Sequence, residues 1–418
     1  MTLSCFDLGE RMLSVEEAGA ALAELVAGPL PAESVALDAL HGRVLAEAIT
    51  SPLDVPQSTN AAMDGIALAW PASGPRPESW RRVGRLFAGR RHATPLAPGE
   101  CLGITTGAPL PPGADTVIMQ EQLAVLDDER VVVEHPERVR RGQNVRRAGE
   151  DIARGAPALA AGTRLSAAEL GLLASLGLAE ARVIRRPRVA IFSTGDEVTA
   201  PGEPLPPAGI YDANRFTLRA LVAEQGGEVL DLGILPDDRA ALVAALDSAA
   251  NQADLVITSG GVSVGEADFT RAALAEIGEL GFWRIAIRPG RPLACGRLGE
   301  RGVPFLGLPG NPVAVMVTFL RFVAPLMARL LGRDAWQPAT LTALAEHELK
   351  SRVGRVDYLR GIYRCDGRGR LTVASTGAQG SGILSSMVKA NCLIELAADR
   401  EVAAPGEAVT VHPLHRLP

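Results

Sequence analysis

The sequence predicts a multidomain α/β plus β protein. A central, mostly parallel α/β domain follows an N-terminal helical region with a β-rich insertion and precedes a C-terminal β-barrel-like domain. Three observations carry this. Buried-type strands alternate with amphipathic helices over about 185–331, the βαβ signature. Short apolar pieces punctuated by Pro and Gly fill about 51–143. From about Trp336 onward, alternation of period two returns. The 418 residues allow two to four domains, and the expected spans are 1–184, 185–331 and 336–418.

Taken in order, Ser14-x-x-Glu17 is a capping box opening a helix whose apolar face is Val15, Ala18, Leu22, Leu25 and Val26. Gly28-Pro29 should end that helix, and a second is expected over Leu37–Ala48. Within the insertion, "TVIMQEQLAVL" and "RVVVEH" read as strands, and "GAPLPPGAD" and "LAPGE" as turns. Ser166-x-x-Glu169 opens another capped helix over 165–178.

The central domain offers the strands VAIFS, GEVLDLGIL, ADLVITS, WRIAIR and VPFLGLP. Its helices begin near Asn214, Asp237, Asp268 and Val313. In the last domain, Asp366-Gly367 marks a hairpin turn and "GEAVTVHPL" a closing strand.

Composition bounds the function classes. Hydrophobic residues make up 47% and charged residues 22%, an ordinary globular balance. Aromatics reach only 4%, so the cores must be built from Ala, Val, Leu and Ile. The net charge of -6 speaks against a nucleic-acid partner. No apolar run reaches the roughly 18 residues a bilayer span needs. The N-terminus lacks the basic-then-apolar order of a signal peptide. A cytoplasmic protein with no membrane partner is expected. Lys350 and Lys389 are the only lysines, so any oxyanion clamp must be guanidinium. The five cysteines form no C-x-x-C pair, and a Walker-type phosphate loop is absent.

Ligands of open α/β sheets bind outside the carboxyl ends of the strands. Five such ends stand out. They are Ser193-Thr194-Gly195-Asp196-Glu197, Pro236-Asp237-Asp238, Ser259-Gly260-Gly261-Val262-Ser263-Val264-Gly265-Glu266-Ala267-Asp268, Arg288-Pro289-Gly290-Arg291-Pro292 and Pro309-Gly310-Asn311-Pro312. Each alone reads as a helix cap or a turn. Together they form a rim with three chemistries. Gly260, Gly261 and Gly265 let backbone approach a phosphate, with hydroxyls from Ser193, Thr194, Ser259 and Ser263. Arg288 and Arg291 supply a cationic clamp. Glu197, Asp237, Asp238, Glu266 and Asp268 are carboxylates, which tolerate a phosphate when a divalent cation bridges the two. Pro309 and Pro312 stiffen the turn that presents Gly310 and Asn311. In the insertion, Asp64 sits in a Gly-flanked turn, and Thr106 lies beside Gly107 in the run "ITTGAPLPPGADTVIMQE".

The ordered set of motifs resembles the MoeA family of molybdopterin molybdenumtransferases, which includes the E domain of gephyrin and its plant counterpart. The matching segments are Asp54-Val-Pro56, Asn60-Ala-Ala-Met63-Asp64-Gly65, Thr106-Gly-Ala-Pro109, Asn144-Val-Arg146-Arg147-Ala-Gly149-Glu150-Asp151, Ser193–Glu197, Tyr211-Asp-Ala-Asn214, Ser259–Asp268 and Leu308–Pro312. Two departures are visible: Ile66 replaces the usual aromatic, and Arg288 and Arg291 replace the usual lysines.

The resemblance implies a middle domain like that of the MogA and MoaB adenylyltransferases. It implies insertion of molybdenum, from molybdate, into adenylylated molybdopterin, with release of AMP and help from Mg²⁺. It implies elongated homodimers whose cleft joins the middle domain of one subunit to the N-terminal part of the other. Docking of the adenylyltransferase that acts one step earlier is left open. On this footing Asp237 and Asp268 are candidates for metal, Glu197 for a base or water-orienting group, and Asp64 and Thr106 for completing the site. Arg288 and Arg291 suit phosphate or molybdate. The alternatives are an adenylyltransferase, which needs only the middle domain, and a non-catalytic scaffold, which would have lost the strand-end carboxylates.

Overall fold

The computed structural model describes residues 12–73, 76–127, 129–236, 238–260, 273, 276–333 and 335–414. The chain divides into two units. One is Met1–Glu33, Gly42–Ala46 and Val183–Pro418; the other is Ser34–His41 and Glu47–Arg182.

The first unit holds a seven-stranded sheet. Glu228–Leu235, Arg188–Thr194, Leu255–Ser259 and Val303–Leu308 lie side by side and parallel. Both faces of these strands are covered. Val189, Ile191, Leu255 and Ile257 point into one core, while Ala190, Phe192 and Val256 point into another, the alternation a pleated strand imposes. The sheet continues with an antiparallel pair, Pro292–Leu298 and Gly278–Ile285, and a parallel edge at Met12–Leu13. The WRIAIR segment is thus an antiparallel hairpin arm rather than another parallel strand. The short connection to "PLACGRL" leaves no room for a crossover helix.

Ser14 and Glu17 cap the helix Val15–Ala23 reciprocally, at 3.1 and 2.9 Å. The helix stops short of Gly28-Pro29. Asp238 caps Arg239–Gln252 by accepting the Ala241 N–H at 2.8 Å. The helix Pro312–Leu330 is 19 residues long with a mean hydropathy of 1.8. By length and composition it could cross a bilayer, although Arg321 and Arg329 interrupt its apolar run. Its most apolar stretch is 72% buried, with Val313, Val317, Phe319, Phe322 and Val323 inside the main core.

The last domain is a closed barrel. Val356–Cys365, Leu371–Ser375, Leu341–Ala345, Ala408–Pro413 and Cys392–Leu396 pair in sequence, and the last returns to the first. The hairpin at Asp366 is a five-residue connection over 366–370. Asp366 Oδ1 accepts from the N–H groups of Arg368 and Arg370, and Gly369 takes the left-handed conformation, φ 79°. Cys101, Cys295 and Cys392 are buried as small hydrophobes, but Cys365 is exposed. One junction between the barrel and the α/β sheet is a short strand pairing. Ile287 and Arg288 leave the hairpin and pair in parallel with Val356 and Asp357.

The second unit is built on a six-stranded sheet. Its order is Thr116–Met119, Gly65–Leu68, Glu100–Ile104, Trp80–Leu86, Arg130–Val133, Leu123–Val125. Ile66, Leu68, Trp80 and Cys101 fill one face; Ala67, Leu86, Leu102 and Ile104 fill the other. Trp70 and Trp80 stack at 5.6 Å. Ser166 and Glu169 cap Ala167–Ser175. The helix expected over Leu37–Ala48 is absent. Only the 3-10 turn Leu37–Ala39 forms there, because Gly42 adopts φ 74° and breaks the run.

Candidate functional site

In the first unit, the ends of three neighbouring parallel strands open onto a cavity of about 890 Å³. Its wall holds Glu197, Gly260, Arg288, Arg291, Pro309, Gly310 and Asn311. These residues come from four segments up to about a hundred positions apart, so the sheet gathers the strand-end residues the sequence singles out. Pro312 opens the adjoining helix.

The strand-end loops brace one another. The Gly260 N–H donates to the Leu308 carbonyl at 3.1 Å. Asn214 Nδ2 donates to the Gly310 carbonyl at 2.7 Å. Gly260 has φ 89°, which favours glycine there. The segment after Thr194 is pinned by the Ile210 N–H donating to the Glu197 carbonyl at 2.8 Å, within a two-residue parallel ribbon. Ser193 and Ser259 are buried beneath the loops. Ser193 Oγ donates to Asp212 Oδ1 at 3.1 Å. Asp212 is itself held by Arg215 Nε at 2.9 Å. These hydroxyls therefore seat the loops from below. Thr194 is buried as well, and its Oγ1 has no hydrogen-bond partner among the described residues. Asp237, Gly261, Ser263, Gly265 and Asp268 lie outside the described residues, as do Val262, Val264 and Glu266.

The Arg288–Arg291 turn is set by close packing. A Cβ on Gly290 would lie 2.4 Å from Thr318 Cγ2, and its φ is 112°. The register Arg288↔Asp357 places Arg288 against a fully buried carboxylate, with Arg288 Nη1 3.4 Å from Asp357 Oδ2. Arg355 Nε shares that carboxylate at 2.9 Å. One Asp therefore serves two guanidinium groups.

The sequence reading missed an entire wall, which the barrel supplies. Arg352, Arg355, Gln379, Gly380 and Ser381 face the same cavity. Behind them Arg360 is 1% exposed. Its Nε donates to Ser386 Oγ and its Nη2 to the Gly380 carbonyl, both at 3.0 Å. Gln379 bridges to the Arg360 backbone at 2.8 and 3.1 Å, and the Val313 N–H donates to the Ser381 carbonyl at 3.1 Å. No carboxylate pairs with Arg360 among the described residues. Burial, with Arg288 nearby, pushes its guanidinium down to about 10. The Gly-Ala-Gln-Gly-Ser stretch over 377–381 was the available signal. It follows a strand of the barrel, Leu371–Ser375, outside the central α/β domain to which the strand-end rule was applied, so it was passed over.

Among the described residues, the cavity wall thus carries Arg288, Arg291, Arg352 and Arg355 against one carboxylate, Glu197. Such a surface attracts doubly charged oxyanions, and planar guanidinium can bind them bidentately. Among the described residues, no group of three or more His, Cys, Asp or Glu could hold a metal ion.

The second unit brings Asp64 and Thr106 together. Asp64 Oδ1 accepts from both the backbone N–H and the hydroxyl of Thr106, each at 2.7 Å. Thr106, chiefly through its hydroxyl, holds the Asp64 carboxyl below its usual range. The turn before Gly65 follows from strand packing: a Cβ there would sit 1.8 Å from the Ile118 carbonyl oxygen. Asp54 serves the fold, accepting the Arg154 N–H at 2.8 Å.

Three family descriptions match the chain in order: the MoeA N-terminal region (domain I and II) over 13–177, a probable molybdopterin binding domain over 190–329, and the MoeA C-terminal region (domain IV) over 342–414. A molybdopterin molybdenumtransferase of Haemophilus influenzae is 42% identical over 407 residues, covering 97% of this chain and all of that protein. One from a Nostoc species is 37% identical, covering 91% of this chain and 88% of that protein. The crystal structure of the molybdopterin biosynthesis MoeA protein of Pyrococcus horikoshii superposes with a TM-score of 0.83 at 29% identity, covering 97% of this chain and 100% of that one.

Proposed function

The chain belongs to the MoeA family of molybdopterin molybdenumtransferases, and from that premise we propose that it inserts molybdenum into adenylylated molybdopterin, consuming molybdate and releasing AMP. The observation that carries this reading is the charge of the cavity: among the described residues, four arginines face it against one glutamate. Both proposed substrates bring oxyanions, one as molybdate and one as a phosphoanhydride. A volume of about 890 Å³ suits a pterin nucleotide.

In this proposal Arg288, Arg291, Arg352 and Arg355 hold oxyanion oxygens, either of molybdate or of phosphate. Buried Arg360 adds positive potential and fixes the 379–381 backbone. Gly260 and Gly310 let the ligand approach the strand ends. Glu197 orients or deprotonates the attacking group at the phosphoanhydride. Asp64, held below its usual pKa by Thr106, would complete the site from the other subunit of the implied homodimer. Asp237 and Asp268 would hold Mg²⁺, which when bound neutralises charge on the anhydride as it is cleaved.

Purified protein given adenylylated molybdopterin, molybdate and Mg²⁺ should release AMP only when all three are present. AMP release that proceeds equally without molybdate would overturn the transferase reading.

A further inference from the structure

Three chain segments converge at one end of the six-stranded sheet. Trp80–Leu86 and Glu100–Ile104 run parallel, with Leu86 opposite Ile104, so both chains leave the sheet together. Gly65 pairs with Ile104 from the other side, so Asp64 enters at the same edge. Hydrogen bonds connect the three. The Thr105 N–H donates to the Leu86 carbonyl at 3.2 Å, the Ala88 N–H donates to Thr105 Oγ1 at 3.1 Å, and Thr106 donates twice to Asp64.

The segment leaving Leu86 is a tight turn. The Arg90 N–H donates to the Phe87 carbonyl at 3.2 Å, and Gly89 has φ 79°, the glycine position of a type II turn. It presents Phe87, 54% exposed, beside the exposed Arg90 and Arg91. Met63, next to Asp64, is 42% exposed at the same sheet end. Among the described residues, the ion pairs Arg81 with Glu100, Arg130 with Asp127 and Arg141 with Asp115 leave Arg90 and Arg91 out. Phe87 offers a flat apolar ring on the same turn that carries two exposed guanidinium groups. It is the combination that stacks a heterocycle and takes its phosphate.

We propose that the Phe87–Arg91 turn is a specificity element for the substrate, with Phe87 stacking on a flat heterocycle and Arg90 and Arg91 engaging the phosphate attached to it. This rests on the pterin nucleotide reading given above. The turn acts in binding and is separate from the bond-making groups.

The test is equilibrium titration of the full-length protein with adenylylated molybdopterin, followed by KM and kcat for molybdate-dependent AMP release. Phe87→Ala should weaken binding roughly ten-fold, and Phe87→Tyr should restore it, because stacking needs only the ring. Arg90→Ala/Arg91→Ala should weaken binding by a similar factor and flatten its dependence on salt. KM for the pterin should rise in both, KM for molybdate should hold, and kcat should change less than about two-fold. Pterin affinity equal to wild type in both variants would overturn the proposal, as would equal losses in Phe87→Ala and Phe87→Tyr. If wild-type protein binds the pterin but releases no molybdate-dependent AMP, the transferase reading falls. The titration still decides the role of the turn, since binding requires no turnover.

Discussion

Asp64 is surface-exposed, yet its geometry is tightly held, because two donors from a single residue fix one carboxylate oxygen. Hydrogen bonds to the charged form stabilise that form, so the carboxyl ionises below its ordinary value. Removing the hydroxyl with Thr106→Val leaves only the backbone donor. The Asp64 pKa should then rise toward its usual range, and a smaller fraction should be ionised at mildly acidic pH. The acid limb of the kcat/KM profile for AMP release should therefore move to higher pH, while Thr106→Ser keeps the wild-type limb. An unchanged limb in Thr106→Val would separate Asp64 from catalysis. Arg360 shows the opposite economy of burial. A guanidinium with no carboxylate is expensive to desolvate, and here two neutral acceptors, Ser386 Oγ and the Gly380 carbonyl, hold it directly behind the cavity wall.

At the scale of elements, the strands around the sites meet at distances that only glycine permits. Gly65 lies against Ile118 and Met119 with no space for a methyl group. Gly65→Ala would force the pairing of Gly65–Leu68 with Thr116–Met119 apart and displace Asp64. The expected loss is ~3 kcal/mol, from overpacking against backbone that cannot rotate away. A urea melt followed by tryptophan fluorescence, which reports Trp70 and Trp80 in this unit, measures it. Gly177→Ala gives the contrast, because no atom lies within 4 Å of the added Cβ and only its left-handed φ of 73° costs. Capping boxes behave as independent local devices: Ser14/Glu17 and Ser166/Glu169 each form both of their reciprocal hydrogen bonds. By contrast, Leu37–Ala48 has helical spacing on paper but contains Gly42 in the left-handed conformation, and no α-helix forms.

At the scale of the whole molecule, the barrel and the α/β sheet share the 287–288 pairing with 356–357, and through it the cationic wall draws on two domains. The family resemblance implies a homodimer with a shared cleft, and that proposal has a direct test. Asp64→Asn and Arg291→Ala chains should each be inactive alone. Mixed and allowed to exchange subunits, they should regain roughly a quarter of wild-type AMP release if each half-site serves the other subunit. No recovery in a mixture shown by light scattering to contain heterodimers would exclude a shared site.

The sequence by itself determined the local and the periodic: where strands are buried on both faces, where helices are capped, and which loops join glycine, hydroxyl, carboxylate and arginine at strand ends. Those features depend on neighbours a few residues apart, so the chain displays them directly. Glu197, Gly260, Arg288, Arg291 and Gly310 could be named for that reason. Tertiary structure alone decided the partnerships. It turned Gly278–Ile285 into an antiparallel arm. It set Arg288 opposite Asp357, a carboxylate 69 residues away. It brought Arg352, Arg355 and the 379–381 loop to a cavity whose other wall ends at Pro309, Gly310 and Asn311. It also placed the Phe87 turn beside Asp64. Strand register across long separations depends on which pairings jointly close the cores and satisfy the backbone, and no short window of sequence contains that comparison.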